Sequence, residues 1–182
     1  MAANDVITLV FIFSTRGLAP LLLLRWPFFG ALACIAADAA DTMVQDALGS
    51  DILSPHYHNI DKAFDTYYLG FEAWVAFGWL DPLARGAALV LFGLRLIAVV
   101  TYEVSDIRQV FVFVGPNIFE NFYIWVAGFR SIDPGYRIGS VRNLGFILLI
   151  TGIPKLVQEY AMHFDPDVQT WKFVKTNILQ WR

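Results

Sequence analysis

The 182 residues are enough for one compact unit and too few for several. Hydrophobic residues make up 57% of the chain and charged residues 16%, whereas an average soluble domain is about 25% charged. This composition and the mean hydropathy of +0.54 exclude an ordinary soluble domain, and the scattered single basic residues exclude a nucleic-acid partner. We therefore expect an all-α integral membrane protein.

Six apolar segments have the length that a helix needs to cross a hydrocarbon core about 30 Å thick. The expected spans lie at residues 6–24, 27–47, 61–80, 86–104, 109–129 and 143–163. Turn residues separate several of them, for example Asp81-Pro82 and Asp133-Pro134-Gly135. Residues 164–182 are more polar and predict an interfacial C-terminal tail. The pattern predicts one polytopic domain, a bundle of about six transmembrane helices in the cytoplasmic or inner membrane.

Acidic residues concentrate at the end of the second segment and the start of the third. Ionisable side chains at membrane depth cost about 2.5–3.5 kcal/mol each on insertion scales, so their presence needs a physical reason. The spacing places Asp38 and Asp41 on one helix face, and Asp61 and Asp65 on another. Such carboxylates repel unless a cation lies between them, and Mg²⁺ and Mn²⁺ prefer carboxylate oxygens. The four aspartates predict a site for one or two of these ions; the alternative is that they are solvated helix ends.

The arrangement of these aspartates resembles the signature of the CDP-alcohol phosphatidyltransferases, which are six-helix membrane enzymes of about this size. Residues 38–41 (DAAD) match the first aspartate pair of that signature, and residues 61–65 (DKAFD) match the second. The first segment is also similar to the family's opening segment, through Asn4, Thr8, Leu9, Arg16 and Pro20. The resemblance implies that Asp38, Asp41 and Asp61 are metal ligands. It implies that Asp65 is both a metal neighbour and the catalytic base that deprotonates an attacking alcohol.

The sequence departs from the family signature at the positions that bind the nucleotide-diphosphate donor in that family. Thr42 and Tyr57 replace glycines that let the nucleotide approach the backbone. Gln45 and Asp46 replace the Ala-Arg pair, whose arginine holds the phosphates in that family. The gap between the two aspartate pairs is also two residues longer than in the family. These departures predict an altered or lost donor site.

The function expected from this resemblance is that of a divalent-metal-dependent phosphotransferase, a transferase of phospholipid biosynthesis. Its partners would be membrane lipid, a nucleotide-diphosphate donor, and a second copy or a membrane-complex subunit. One alternative is a non-catalytic subunit of a larger assembly or a carrier that moves cations or protons with its intramembrane acids. A structural bundle whose acids face water is the third reading. Metal dependence of ligand binding separates the enzyme from a proton carrier, which needs no Mg²⁺.

Four other polar residues are candidates for supporting the site. Asp46 continues the acidic pattern, and His56 and His58 lie in the linker beside it. The two histidines alone are too few for a structural metal site, which normally has four ligands, and a solvated interfacial loop is the alternative. Arg95 in the fourth segment is a candidate phosphate ligand, or else an interhelical pairing partner.

The later segments also carry polar and helix-bending residues. Lys155 and Glu159 are four residues apart and are predicted to pair with each other. Pro116 and Pro154 are predicted to kink the fifth and sixth helices.

Overall fold

The computed structural model describes residues 3–50, 57–105 and 115–164. Within these ranges the chain forms six helices and no strand, so the predicted all-α class is confirmed. The helices are α1 (Ala3–Leu18), α2 (Pro27–Leu48), α3 (Tyr57–Phe77), α4 (Pro82–Ser105), α5 (Ile118–Ile132) and α6 (Val141–Phe164). A 3₁₀ segment, Ala19–Leu24, continues α1 toward α2.

Three helical segments in the described ranges are long and apolar enough to cross a membrane: Ala3–Leu24, Pro27–Leu48 and Pro82–Ser105. They correspond to the first, second and fourth predicted spans. Their outer faces carry exposed apolar side chains, such as Val10 at 60% exposure and Val100 at 62%. Helices satisfy their own backbone hydrogen bonds, so apolar helical faces of this kind are compatible with lipid. The structure is consistent with a membrane-associated protein.

Residues 109–114 of the fifth predicted span lie outside the described residues, and from residue 115 onward the span differs from the helix that is observed. Residues 115–117 are not helical, and α5 begins only at Ile118, whose N–H donates to the carbonyl of Pro116 at 2.7 Å. Pro116 therefore precedes the helix, and the prediction that it kinks the helix is wrong. A proline is tolerated before a helix because its missing N–H would have had no intrahelical partner there. Pro154, in contrast, lies inside α6. Residues 165–182, which belong to the predicted C-terminal tail, lie outside the described ranges.

The chain divides into two compact units. Unit 1 contains Met1–Leu80 and Val126–Tyr136, which include α1 to α3 and the end of α5. Unit 2 contains Asp81–Trp125 and Arg137–Arg182, which include α4, the start of α5 and α6. All four predicted aspartate ligands belong to unit 1.

A close approach at Gly30 shapes the turn between α1 and α2. A Cβ atom at this position would lie 2.5 Å from the backbone nitrogen of Leu23, so only glycine fits without a shift of the chain. Pro27 occupies the first turn of α2, where proline is favoured. The start of α1 lies beside the end of α2, because Asn4 donates to the carbonyl of Leu48 at 3.0 Å. The two helices therefore run antiparallel, which brings the C-terminal half of α2 alongside α1.

Buried polar contacts hold unit 2 together. Asp81 accepts hydrogen bonds from the backbone N–H of Leu83 at 3.0 Å and of Ile138 at 2.7 Å, which caps the start of α4. Lys155 lies 3.5 Å from a carboxylate oxygen of Glu120, so its ion pair joins α6 to α5. The predicted Glu159 partner has a side chain outside the described residues.

Candidate functional site

The guanidinium of Arg16 on α1 forms ion pairs with four aspartates. Nη1 lies 2.9 Å from Oδ2 of Asp41 and 2.5 Å from Oδ1 of Asp61. Nη2 lies 2.8 Å from Oδ1 of Asp38 and 2.7 Å from Oδ1 of Asp65. These four carboxylates, here called the aspartate cluster, are the four that the sequence singled out as metal ligands. The cation that lies between them is Arg16.

Three helices contribute to the site, and their sequence periods explain the convergence. Thr8, Ile12 and Arg16 follow one another at intervals of four residues and form the buried face of α1. The two aspartates of α2 contact the same guanidinium, as their spacing of three predicts. The two aspartates of α3, four residues apart, do the same. The arrangement therefore follows from three ordinary helical faces turned toward one another.

The aspartate cluster is closed on one side and open on the other. The side chains of Arg16 and Asp41 are 3% and 0% exposed, whereas those of Asp61, Asp65 and Asp38 are 28%, 29% and 49% exposed. Asp41 thus forms the closed end with Arg16. The three more exposed aspartates each offer an oxygen, and these oxygens all lie within 4.8 Å of one another. They form the side of the cluster that a ligand can reach.

The donor set of the aspartate cluster fits a hard divalent cation. Four carboxyl groups surround one guanidinium in a partly desolvated position, so the acidic groups outnumber the cation. Adjacent ligands of octahedral Mg²⁺ lie about 2.9 Å apart and opposite ligands about 4.2 Å apart, so three oxygens within 4.8 Å would have to move closer together to bind one ion. The guanidinium of Arg16 already engages oxygens of the same aspartates. A cation and Arg16 would therefore compete for the same electron pairs.

Residues that depart from the family signature contact Asp41. The hydroxyl of Thr42 donates to Oδ1 of Asp41 at 3.2 Å, and the amide of Gln45 donates to its backbone carbonyl at 3.4 Å. Hydrogen bonds to a carboxylate favour its ionised form and fix its orientation. Thr42 therefore helps to orient the Asp41 carboxylate, whereas Gln45 contacts only the backbone of Asp41.

An apolar groove adjoins the cluster between α1 and α3. The ring of Phe64 lies 5.3 Å from the guanidinium carbon of Arg16 and packs edge-on against Phe13 at 5.2 Å. The hydroxyl of Tyr67 donates to the carbonyl of Gly17 at 3.2 Å and marks the other end of the groove. The open volume along these side chains is about 440 Å³. The groove offers an apolar surface next to the charged site, which suits the hydrocarbon part of a lipid.

The supporting residues expected from the sequence are not all part of the aspartate cluster. Asp46 is exposed near the end of α2 and is not among the three acids whose oxygens lie within 4.8 Å. His56 and the side chain of His58 lie outside the described residues. Arg95 belongs to unit 2, where it donates to the carbonyl of Gly115 at 3.4 Å.

Sequence reasoning missed the role of Arg16, which it noted only as part of the family's opening segment. A usable signal was present, because Arg16 is a lone cation inside an apolar span and such a charge needs a partner. Pairing that unmatched cation with the unmatched acids of the next two helices would have predicted the contact.

Comparisons of the chain with known protein families, with curated proteins and with solved structures find no significant match. The resemblance to the CDP-alcohol phosphatidyltransferases therefore rests on the aspartate pattern and on the residues quoted with it. The functional proposal for this chain is based on the geometry of the aspartate cluster.

Proposed function

We propose that this chain is a multi-pass membrane protein that uses the aspartate cluster to bind a divalent cation and transfer a phosphate-linked group to an alcohol. The observation that carries the proposal is the convergence of Asp38, Asp61 and Asp65, whose oxygens lie within 4.8 Å of one another. Their carboxyl groups beside an apolar groove suit a metal ion on one side and a lipid on the other. The proposed class is a phosphotransferase of the CDP-alcohol type with an altered donor site.

Membrane passage by α3 and α6 is also part of the proposal, whereas α5 has 15 residues and is shorter than the roughly 20 that a span needs. Beyond the three segments described above, α3 exposes Trp74 at 73% and Phe77 at 63%. Helix α6 exposes Phe146 at 64% and Val157 at 64%. Exposed apolar side chains on these helices support their contact with hydrocarbon, because contiguous apolar surface of this kind is unusual on a soluble monomer.

The chain's own residues have distinct parts in the proposed reaction. A bound Mg²⁺ or Mn²⁺ would supply charge neutralisation of the diphosphate at Asp38, Asp61 and Asp65. Asp65, 29% exposed on the open side, would accept the proton of the alcohol at a carboxylate oxygen. The alcohol oxygen would form the new bond to phosphorus, and the P–O bond of the diphosphate would break and release a nucleoside monophosphate. Asp41 would remain paired with Arg16 at the closed end. These roles follow the exposed fractions of the side chains. The reacting groups must be accessible to a substrate, whereas the Arg16–Asp41 ion pair need not be.

Arg16 would be the cation of the site, because this sequence lacks the arginine of the family signature. The signature arginine would fall at Asp46, which is an acid here. Arg16 places a guanidinium against the same group of carboxylates from a different helix. Since the Arg16 side chain is 3% exposed and would stay paired with Asp41, it would balance the charge of the carboxylates from the closed end and would not bind the donor phosphates.

A second candidate function, that of a non-catalytic subunit or a carrier, is supported by the four ion pairs of Arg16. One guanidinium engages all four aspartates, which is also what a purely structural polar centre requires. In that case the chain is a non-catalytic subunit or a carrier, and the aspartate cluster fastens α1 to α2 and α3. This candidate predicts no specific affinity for a divalent cation.

Metal binding by the purified full chain in detergent distinguishes the two candidates. Free Mn²⁺ is quantified by electron paramagnetic resonance for the wild type, for Asp61→Asn/Asp65→Asn and for Asp46→Asn. The proposal predicts saturable binding that the double variant loses and Asp46→Asn keeps, because Asp46 is an exposed acid outside the group of three. Binding should then permit metal-dependent turnover of a nucleoside-diphosphate-linked donor with a lipid alcohol.

The opposite result has an equally clear meaning. Absence of saturable Mn²⁺ binding by the folded wild type would overturn the phosphotransferase proposal and leave the structural centre. Equal loss in Asp46→Asn would show that binding depends on general surface charge. Metal binding without turnover of any donor would support the metal site and reject the transferase activity.

A further inference from the structure

Unit 1 contains a second polar site at the other end of α2 and α3 from the aspartate cluster. A cavity of about 420 Å³ lies where the 3₁₀ segment turns into α2 and where α3 and α5 end. Arg25 and Arg130 both line it, and none of the described residues that line it is acidic. The aromatic part of its wall is formed by Trp26, Phe28, Phe29 and Trp79.

The two arginines approach the cavity from separate elements. Arg25 follows the 3₁₀ segment and is exposed, while Arg130 lies in the last turn of α5 and is half-buried. The guanidinium carbon of Arg130 stands 5.0 Å from the centre of the Trp79 ring, which is 6% exposed. A cation–π contact of this kind holds the guanidinium in place beside the cavity. Arg130 is thus held in position beside the cavity, whereas Arg25 is exposed and can change its side-chain conformation.

The start of α2 adds further positive potential to the cavity. Its N-cap residue, Trp26, makes no side-chain capping hydrogen bond, and Pro27 has no N–H. The first intrahelical donor is Gly30, whose N–H bonds to the carbonyl of Trp26 at 2.7 Å. The amides of Phe28 and Phe29 therefore lie in the first turn, where helix N–H groups have no intrahelical acceptor and the helix dipole is positive. Both residues line the cavity.

The position of the cavity identifies the kind of anion. Arg25 and Trp26 lie between Leu24 and Pro27, the adjoining ends of two segments that are long and apolar enough to cross a membrane. Tryptophan and arginine at such a boundary are typical of the headgroup level of a bilayer. Leu24 is 55% exposed and Phe29 is 64% exposed, so apolar surface continues from the cavity for an acyl chain to contact. A dissolved phosphate ion would use the arginines but not this apolar surface.

We propose that the Arg25–Arg130 cavity binds the phosphate headgroup of an anionic phospholipid, with the acyl chains along the exposed faces of the 3₁₀ segment and α2. Arginine pairs with phosphate oxygens in a fixed fork geometry, and the first-turn N–H groups of α2 would donate hydrogen bonds to the same phosphate. The site is separate from the proposed metal centre. It requires neither a divalent cation nor a nucleotide.

Lipid binding by the full chain tests this proposal in zwitterionic micelles that contain EDTA. The thermal unfolding temperature is followed during titration with phosphatidylglycerol, phosphatidylcholine or inorganic phosphate. The variants are Arg25→Gln, which removes an exposed cation, and Ser131→Asp, which puts a carboxylate at an exposed residue of the cavity wall. Arg142→Gln, an exposed arginine of unit 2, is the matched control.

The expected result is stabilisation by phosphatidylglycerol and not by the zwitterionic lipid. The apparent affinity should fall about fivefold in Arg25→Gln, the effect of one juxtamembrane cation on anionic-lipid binding. It should fall at least as far in Ser131→Asp and stay unchanged in Arg142→Gln. Unchanged affinity in the two cavity variants, or equal stabilisation by both lipids, would overturn the proposal. Stabilisation by inorganic phosphate equal to that by phosphatidylglycerol would overturn the assignment to a lipid.

Discussion

Arg16 and Asp41 form a buried ion pair, with 2.9 Å between Nη1 and Oδ2 and side chains that are 3% and 0% exposed. Neither charge has access to bulk water at this position. The other three aspartates of the cluster are at least 28% exposed, so Asp41 is the one that most needs the guanidinium. The pair joins α1 to α2 at the closed end of the aspartate cluster.

Removal of the cation should destabilise the protein strongly. Arg16→Gln leaves the buried Asp41 carboxylate without its countercharge, and breaking a buried ion pair in this way typically costs about 3–5 kcal/mol. We expect a loss of that size in the free energy of unfolding, measured by tryptophan fluorescence during denaturant titration in detergent. Arg142→Gln is the control, since it removes an exposed arginine. Equal stability of the two variants would mean that the ion pair contributes nothing.

The same substitution should strengthen divalent-metal binding. Two unit charges 4 Å apart repel by about 4 kcal/mol at an effective dielectric constant of about 20, so loss of the guanidinium removes a large opposing term. We expect Arg16→Gln to bind Mn²⁺ at least about tenfold more tightly than the wild type in a paramagnetic resonance titration. Bound Mn²⁺ should also restore part of the lost stability. Weaker binding in the variant would show that Arg16 organises the carboxylates instead of competing for them.

Two glycine-to-alanine substitutions should change stability in opposite directions. A Cβ at Gly30 would lie 2.5 Å from backbone atoms of Leu23, whereas a Cβ at Gly93 in α4 meets nothing within 4 Å. Gly30→Ala should therefore destabilise the α1–α2 turn by about 1–3 kcal/mol, the usual range for overpacking. Gly93→Ala should stabilise the protein by about 0.5–1 kcal/mol, because alanine favours a helix interior. Denaturant unfolding in detergent measures both, and a stable Gly30→Ala protein would contradict the close approach.

The ion pair between Lys155 and Glu120 should show strong coupling in a double-mutant cycle. The side chains are 12% and 9% exposed, and Glu120 also accepts a hydrogen bond from the amide of Asn117 at 2.9 Å. Lys155→Met alone should cost about 3 kcal/mol because it strands a buried carboxylate. Lys155→Met combined with Glu120→Gln should cost less than the sum of the two single variants. Additive losses would mean that the two side chains do not interact in solution.

The helices were predictable from local sequence because hydrophobic length and helix-start signals are local properties. Segment 27–47 was predicted to within one residue of Pro27–Leu48, since a proline begins it and a glycine follows it. The start of α5 was misplaced because the fifth segment was predicted to continue as a helix through Gly115, Pro116 and Asn117, which are turn residues between two apolar runs. Apolar composition alone does not separate a helix from an apolar segment that precedes it.

The sequence by itself determined the helical class, the apolar faces and the pairing of aspartates at intervals of three and four. Each of these depends on the period of a single helix. Only the tertiary structure decided that Arg16 lies between the two pairs, because the rotation of α1 about its axis depends on its packing against α2 and α3. The same holds for the Arg25–Arg130 cavity, whose two cations are more than a hundred residues apart in the chain. Long-range contacts of this kind depend on how helices pack, so the sequence indicates that a cation such as Arg16 needs an acidic partner but does not give the geometry of the contact.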